Sequence, residues 1–259
     1  MKGIVIIVNP YLKNLEKIEF VITYACTGRC KHCSQGEHGA CGVSVEPEKA
    51  YEAVLKVAER YKIKTVMTFG GETLLYPETV CRIMDAACRA GVERRQLITN
   101  GYFTKDKSVI CKTAEKLALS GVNDLLLSVD AFHMEFIPEE NVKLFAIEAK
   151  NVGIHIRTQP AWLVSRDDEN EYNKMTKEIL KSFSDMGISE NSGNVIFPEG
   201  NALKYLRGYF TGEIPPNPYV EDPFNVKCVS FEPDGNVLGH NFYTHDILGI
   251  LEEYDPLKI

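Results

Sequence analysis

Residues 86–101 read Ala86-Ala87-Cys88-Arg89-Ala90-Gly91-Val92-Glu93-Arg94-Arg95-Gln96-Leu97-Ile98-Thr99-Asn100-Gly101. The stretch ends a segment of helical periodicity at Gly91, enters a short apolar strand over 96–99 and stops on an Asn-Gly turn signal. Glycine just past a helix end supplies the left-handed C′ conformation without a Cβ penalty. The same junction recurs as Ser-Gly-Val at Gly121, Val-Gly-Ile at Gly153 and Met-Gly-Ile at Gly187, at intervals of 30, 32 and 34 residues. Each helix stop leads into a strand. The middle of the chain is a repeated βα unit.

Strands are predicted at 20–24, 65–69, 96–99, 125–129, 155–159 and 195–197. Most lack strict alternation, as parallel strands covered by helices do. Pro47, Pro77 and Pro138 suit first helical turns, and Thr104 is placed to cap the helix after it. Tyr51, Val54, Leu55 and Ala58 follow amphipathic spacing, as do Val142, Phe145, Ala146 and Ala149. Six such units with right-handed crossovers give an α/β fold, a partial (β/α)6 barrel or incomplete TIM barrel open along one side. The expected organisation is a lead-in over 1–17, the barrel over 18–200 and a C-terminal extension over 201–259. The extension begins in a loop carrying Pro215, Pro216, Pro218 and Pro223, then carries a hairpin signal: 227–231, the turn Pro233-Asp234-Gly235-Asn236, then 237–240.

At 259 residues the chain is long enough for one α/β domain and an appendage. Its net charge of −7 repels a phosphate backbone, so nucleic acid is not an expected partner. No run approaches the roughly 20 apolar residues that span a bilayer. The apolar run Gly3-Ile4-Val5-Ile6-Ile7-Val8 is too short for a secretory signal and only Lys2 precedes it. A cytoplasmic enzyme is expected.

Four of the eight cysteines fall between positions 26 and 41. In a reducing compartment such clustering points to metal ligation rather than disulfides. Cys26-Thr27-Gly28-Arg29-Cys30-Lys31-His32-Cys33 follows directly on the first predicted strand. Iron–sulfur clusters are usually held by four thiolates. A trio leaves one position open, and chemistry needs an open position. The other reading of the run is a zinc knuckle of Cys26, Cys30, Cys33 and either His38 or Cys41.

The C-x3-C-x2-C spacing at the end of strand one resembles the signature of the radical S-adenosylmethionine (SAM) superfamily. Gly70-Gly71-Glu72, Thr99-Asn100-Gly101 and Ser128-Val129-Asp130 are similar to further elements of that family, in order and each after a strand. The resemblance covers about 20–200, with His32 where the family usually carries an aromatic residue. It implies that Cys26, Cys30 and Cys33 bind three irons of a 4Fe–4S cluster and that SAM chelates the fourth. Reductive cleavage of SAM then gives a 5′-deoxyadenosyl radical that takes hydrogen from a substrate. A small flavodoxin or ferredoxin is the expected reductant, and a peptide or small molecule the expected substrate. A glycyl-radical activase and a non-catalytic zinc module are the alternatives.

Parallel barrels gather their active sites at the C-terminal ends of the strands, where the loops meet. Candidate cofactor contacts there are Gly70, Gly71, Glu72, Asn100, Ser128, Asp130, Arg157 and Gln159. Gly70 and Gly71 let backbone approach the methionine moiety. Asp130 accepts from ribose hydroxyls or caps the next helix, and Asn100 contacts cofactor or merely makes the turn. Arg157 is expected to grip a carboxylate with its fork, although strand five departs here from the family's glycine-bearing pattern. His133 and Cys41 are candidate catalytic residues. Cys81 and Cys88 form an inward stripe with Met84, Cys111 lies in the core, and Trp162 serves core or lid. The run from Cys228 resembles the start of a SPASM/twitch-like domain. No cysteine follows it and His240 stands near where one is expected, so a degenerate structural cap is predicted.

Overall fold

The computed structural model describes residues 9–39, 42–212 and 214–258. In chain order the strands are β1 Lys17–Val21, β2 Thr65–Phe69, β3 Arg94–Thr99, β4 Asp124–Leu127, β5 His155–Thr158, β6 Ala161–Trp162, β7 Ser189–Glu190, β8 Asn194–Val195, β9 Cys228–Phe231, β10 Asn236–Val237 and β11 His240–Asn241. The helices are α1 Pro47–Arg60, α2 Pro77–Arg89, α3 Lys107–Leu119, α4 Ala131–Met134, α5 Glu139–Asn151, α6 Glu171–Asp185, α7 Gly200–Tyr205 and α8 Ile247–Glu253. Gly91, Gly121, Gly153 and Gly187 all sit at positive φ, between 71° and 95°, so the repeated helix stops adopt the left-handed C′ geometry expected of them.

Seven parallel strands form one sheet in the order β7-β5-β4-β3-β2-β1-β9. The sheet is open, a partial barrel. Alternate residues of each strand point outward into the helices: Ile18, Phe20, Val66, Leu97, Leu125 and Leu127 are fully buried there against Ala50, Val54 and Val57 of α1 and their equivalents. Each such side chain contributes roughly 1.5–3 kcal/mol by leaving water. The other residues of each strand face the inside of the curl. Among the described residues no helix is long and apolar enough to cross a membrane.

Several elements differ from expectation, beginning with the first strand, which runs over Lys17–Val21 rather than 20–24. The sixth barrel strand is β7, directly after Gly187, and its polar, exposed Ser189-Glu190 gives no apolar signal. Residues 194–195 pair instead with β6 in a separate two-stranded ribbon. The first arm of the predicted hairpin, β9, leaves the extension and joins the sheet parallel to β1, with Phe231 stacked 4.5 Å from Phe20. The hairpin is one strand further on, between β10 and β11. Asp106 rather than Thr104 caps α3, accepting from the N–H groups of Ser108 and Val109, and Pro138 is the cap residue of α5. At the other end of the chain, Asn9 Nδ2 donates to the carbonyls of Leu251, Glu252 and Tyr254. It satisfies the orphan acceptors at the end of α8.

Candidate functional site

Beyond β1 the backbone continues past β2 without a regular ladder. Ile22 N–H donates to Phe69 O at 2.8 Å, Gly71 N–H to Thr23 O at 2.7 Å and Glu72 N–H to Ala25 O at 2.8 Å. These bonds bring the two loops into backbone contact. A Cβ on Gly71 would lie 2.1 Å from Ala25 O, and one on Gly70, at φ +135°, 2.7 Å from Thr23 O. The glycines are therefore required by the chain's own neighbouring loop. The close approach expected toward a cofactor is made first of all toward residues 23–25.

The cysteine loop leaves from that contact. A Cβ on Gly28 would sit 3.2 Å from Cys30 Sγ and 3.7 Å from Cys26 Sγ, so the absent side chain makes room between two sulfurs. The loop is held from the far side by α7. Asn201 N–H donates to Cys33 O at 2.8 Å and Asn201 Nδ2 to Cys30 O at 3.1 Å. Cys33 Sγ lies 3.8 Å from His38 Nε2. All three cysteines are free thiols. Burial, reinforced by the Glu72 carboxylate, pushes the Cys26 thiol up to about 12, and burial raises those of Cys30 and Cys33. Such thiols give up their protons to a metal rather than to water.

Glu72 is fully buried. Its Oε1 accepts from Leu74 N–H and from Thr99 Oγ1, and its Oε2 from Asn100 N–H, so it clasps the Gly-Gly loop to the Asn-Gly turn. Asn100 in turn reaches back, Nδ2 lying 3.1 Å from Thr27 Oγ1 and 3.6 Å from Cys26 Sγ. Asp130 is also fully buried, and its carboxylate is spent. Oδ1 takes the N–H groups of Phe132 and His133; Oδ2 takes Ala161 N–H and faces His133 Nδ1 at 2.8 Å. The geometry is that of a helix cap rather than of a ribose acceptor. Burial works against the charge, but His133 and His32 outweigh it and hold the carboxyl down at about 2.

Cys26, Cys30, Cys33, Gly70, Gly71, Asn100 and Asp130 border one cleft of about 430 Å³ at the C-terminal ends of the strands. Cys26, Cys30, His32, Cys33, Asn100 and His133 form one part of it. Glu19, Met67, Phe69 and Ile98 rise from the strands, and Asn194, Phe197, Asn217 and Tyr219 close another wall. The wall from 194–219 has no signature in the sequence, because the Pro-rich loop has no periodicity; Asn194 Nδ2 donates to Tyr219 Oη at 2.6 Å and ties the loop to the ribbon.

The radical SAM superfamily model matches residues 20–200. The chain belongs to the radical SAM superfamily. Among solved structures it is similar to SuiB of Streptococcus suis bound to S-adenosylmethionine, with TM-score 0.59 at 15% identity over 94% of this chain and 66% of that one. SuiB bound to its precursor peptide SuiA gives TM-score 0.55 at 14% identity, over 94% and 65%. anSMEcpe with bound AdoMet and Cp18Cys peptide gives TM-score 0.54 at 15% identity, over 90% and 75%. The chain thus spans slightly less than two thirds of SuiB. No curated protein matches it.

Membership implies an enzyme with a 4Fe–4S cluster and SAM as its cofactors. The donor set fits a cluster. Cys26, Cys30 and Cys33 all border the cleft, and the missing side chain of Gly28 leaves room between two of the sulfurs.

The remaining radical SAM candidates divide. Gly70, Gly71, Asn100, Ser128, Asp130, His133 and Gln159 line the cleft, whereas Glu72 and Arg157 do not. Arg157 spends its fork on Asp124, one nitrogen lying 2.7 and 2.9 Å from the two carboxylate oxygens. It points toward the start of strand β4, away from the rim. Gln159 accepts from Asn191 Nδ2. Cys41 lies outside the described residues. Cys88 is exposed and Cys81 half-buried, because the inward stripe of α2 runs through Val80, Ile83, Met84 and Ala87, and Cys111 is half-buried rather than in the core, because α3 buries Ile110, Ala114 and Leu117 instead. Trp162 is buried, its Nε1 donating to Ser192 O at 2.8 Å. Among the described residues Cys228 and His240 join no converging group of metal donors.

Proposed function

We propose that this radical SAM enzyme abstracts hydrogen from a peptide or protein substrate, with Cys26, Cys30 and Cys33 holding three irons of the cluster. The cluster, once bound, supplies the electron that cleaves SAM to a hydrogen-abstracting fragment. The chain's own residues position and exclude. Asn201 fixes the cysteine loop, Glu72 locks the Gly-Gly loop against Asn100, and Asn100 and Ser128 offer polar contacts to the cofactor. Met67, Phe69 and Phe197 give the cleft apolar walls that keep water from the reacting atoms.

The observation that carries the substrate class is the cleft's composition. Gln35, Asn100, Gln159, Asn194 and Asn217 line it, and among the described residues no lysine or arginine does. Side-chain amides donate to and accept from a peptide main chain. A phosphorylated or polycarboxylate substrate would find no lysine or arginine partner there. The peptides bound by SuiB and anSMEcpe support the same reading. A flavodoxin or ferredoxin is the proposed reductant, the cytoplasm the proposed location, and residues 201–259 a degenerate SPASM/twitch-like cap on the barrel over 18–200.

The test is anaerobic reconstitution with iron and sulfide, then SAM and a reductant, with and without short peptides encoded beside the gene. A cluster, 5′-deoxyadenosine and a mass change in a peptide are expected. A preparation holding neither iron nor sulfide would sink the mechanism. Turnover of a small molecule with every peptide untouched would remove the substrate class.

A further inference from the structure

Two histidines beside Cys30 have no part in holding the cluster as proposed above. Cys30 Sγ and one ring nitrogen each of His32 and His133 lie within 4.8 Å of one another. Donors 2.0–2.3 Å from a zinc-sized ion stand roughly 3–4 Å apart, so a small inward shift of these three encloses a single ion. The surroundings are those of ligating histidines. His133 Nδ1 faces buried Asp130 Oδ2 at 2.8 Å, leaving Nε2 as the free donor. A carboxylate behind a histidine fixes the tautomer and orientation that a metal needs. Asp130 is immobilised by three backbone N–H groups. His32 is half-buried, but its Nδ1 atom is buried and lacks a hydrogen-bond partner, and its ring centroid lies 4.8 Å from that of His133. A buried, unspent ring nitrogen calls for an explanation. All three residues border the cleft, which gives an ion its route in and a water its place as fourth ligand.

We propose that Cys30, His32 and His133 form a mononuclear site for a zinc-like divalent ion, which competes with the iron–sulfur cluster for Cys30. Binding is not a redox step. The Cys30 thiol releases one proton to solvent, the sulfur binds as thiolate, and both histidines bind as neutral rings. While the ion is held, Cys30 is unavailable to the cluster, so free zinc restrains maturation of the enzyme.

The test is anaerobic titration of the full, cluster-free chain with Zn²⁺ against a chromophoric chelator, repeated with Co²⁺ to follow the thiolate-to-metal absorption. One ion per chain is expected, with the Co²⁺ band lost in Cys30→Ser and kept in Cys26→Ser and Cys33→Ser. Affinity should fall about 10–100-fold in His133→Ala and in His32→Ala, and by a similar factor in Asp130→Asn, which removes the orienting carboxylate. Zn²⁺ added before iron and sulfide should slow cluster formation in the parent chain and not in His133→Ala. Unchanged affinity in both histidine variants overturns the site. So does loss of the ion in Cys26→Ser or Cys33→Ser, which indicates a cysteine-only knuckle. The titration needs no cluster, so its outcome is independent of the proposed reaction.

Discussion

Asn201 Nδ2 donates to the carbonyl oxygen of Cys30 at 3.1 Å, joining residues 171 positions apart. The same residue's N–H reaches Cys33 O, so one asparagine at the start of α7 fastens two cysteines of the loop. Asn201 is buried, and replacing it with alanine leaves the Cys30 carbonyl without its donor, a loss of about 1–3 kcal/mol. In Asn201→Ala the cluster should bleach several times faster in the presence of an iron chelator. Decay at the parent rate would show that the loop is fixed by other contacts.

Cys30→Ala should abolish both the cluster and 5′-deoxyadenosine formation, while leaving the chain folded. Cys30 packs in a small cluster with Phe132, Ala161, Leu163, Ile196, Ala202 and Leu206, separate from the main core. Deleting one sulfur there costs on the order of 1 kcal/mol. Thermal unfolding of the cluster-free variant followed by circular dichroism checks the fold, and iron and sulfide analysis checks the ligand. Parent-level 5′-deoxyadenosine from the variant would reject Cys30 as a ligand.

The barrel was legible in the sequence because its signals are local. A positive-φ glycine follows α2, α3, α5 and α6, and a strand with buried residues follows the first three of these glycines, both decided within about ten residues. Strand β7 escaped because an edge strand of Ser189 and Glu190 buries nothing. Strand β9 escaped because joining β1 across more than 200 residues is a tertiary choice, made by the packing of Phe231 on Phe20. The site divides the same way. Cys26, Cys30 and Cys33 are announced by spacing, whereas Asn201, Asn217 and Tyr219 carry no motif and arrive by loop packing. Arg157 misled for a related reason. Its position on the inner face of β5 was readable, but its partner Asp124 on the neighbouring strand was not.

Gly71→Ala should be more damaging than its size suggests. The added methyl group meets Ala25 O at 2.1 Å, and the atom it meets is backbone held by Glu72 N–H. Relief requires the loops after β1 and β2 to separate, breaking the bonds from Gly71 and Glu72 at once. A loss of about 2–3 kcal/mol is expected from such overpacking. Urea unfolding of the cluster-free chain measures it. A change below about 0.5 kcal/mol, the range of an ordinary surface substitution, would mean that the two loops do not meet as described.

Acid should unfasten the inner face of the barrel at Asp124. Its carboxylate takes Arg157 at 2.7 Å and Gln96 Nε2 at 2.7 Å, with Arg94 3.7 Å away. Burial pushes this carboxyl up, but the bonds from Arg157 and Gln96 and the two arginine charges outweigh it and hold the carboxyl below its usual range. A carboxyl lowered in the folded state stabilises the fold above its unfolded value of about 3.9, and the contribution disappears as pH falls through the folded value. Breaking the pair from the other side, Arg157→Ala removes a charged partner while Gln96 and Arg94 remain, and should cost about 1–3 kcal/mol at neutral pH. Chemical unfolding of the parent and of Asp124→Asn from pH 7 down to about pH 3 provides the measurement. The parent should be the more stable above pH 5, with the difference shrinking below pH 4 as the carboxyl is protonated. A gap that stays constant through that window, or widens in acid, would show that the Asp124–Arg157 pair does not stabilise the barrel through its charge.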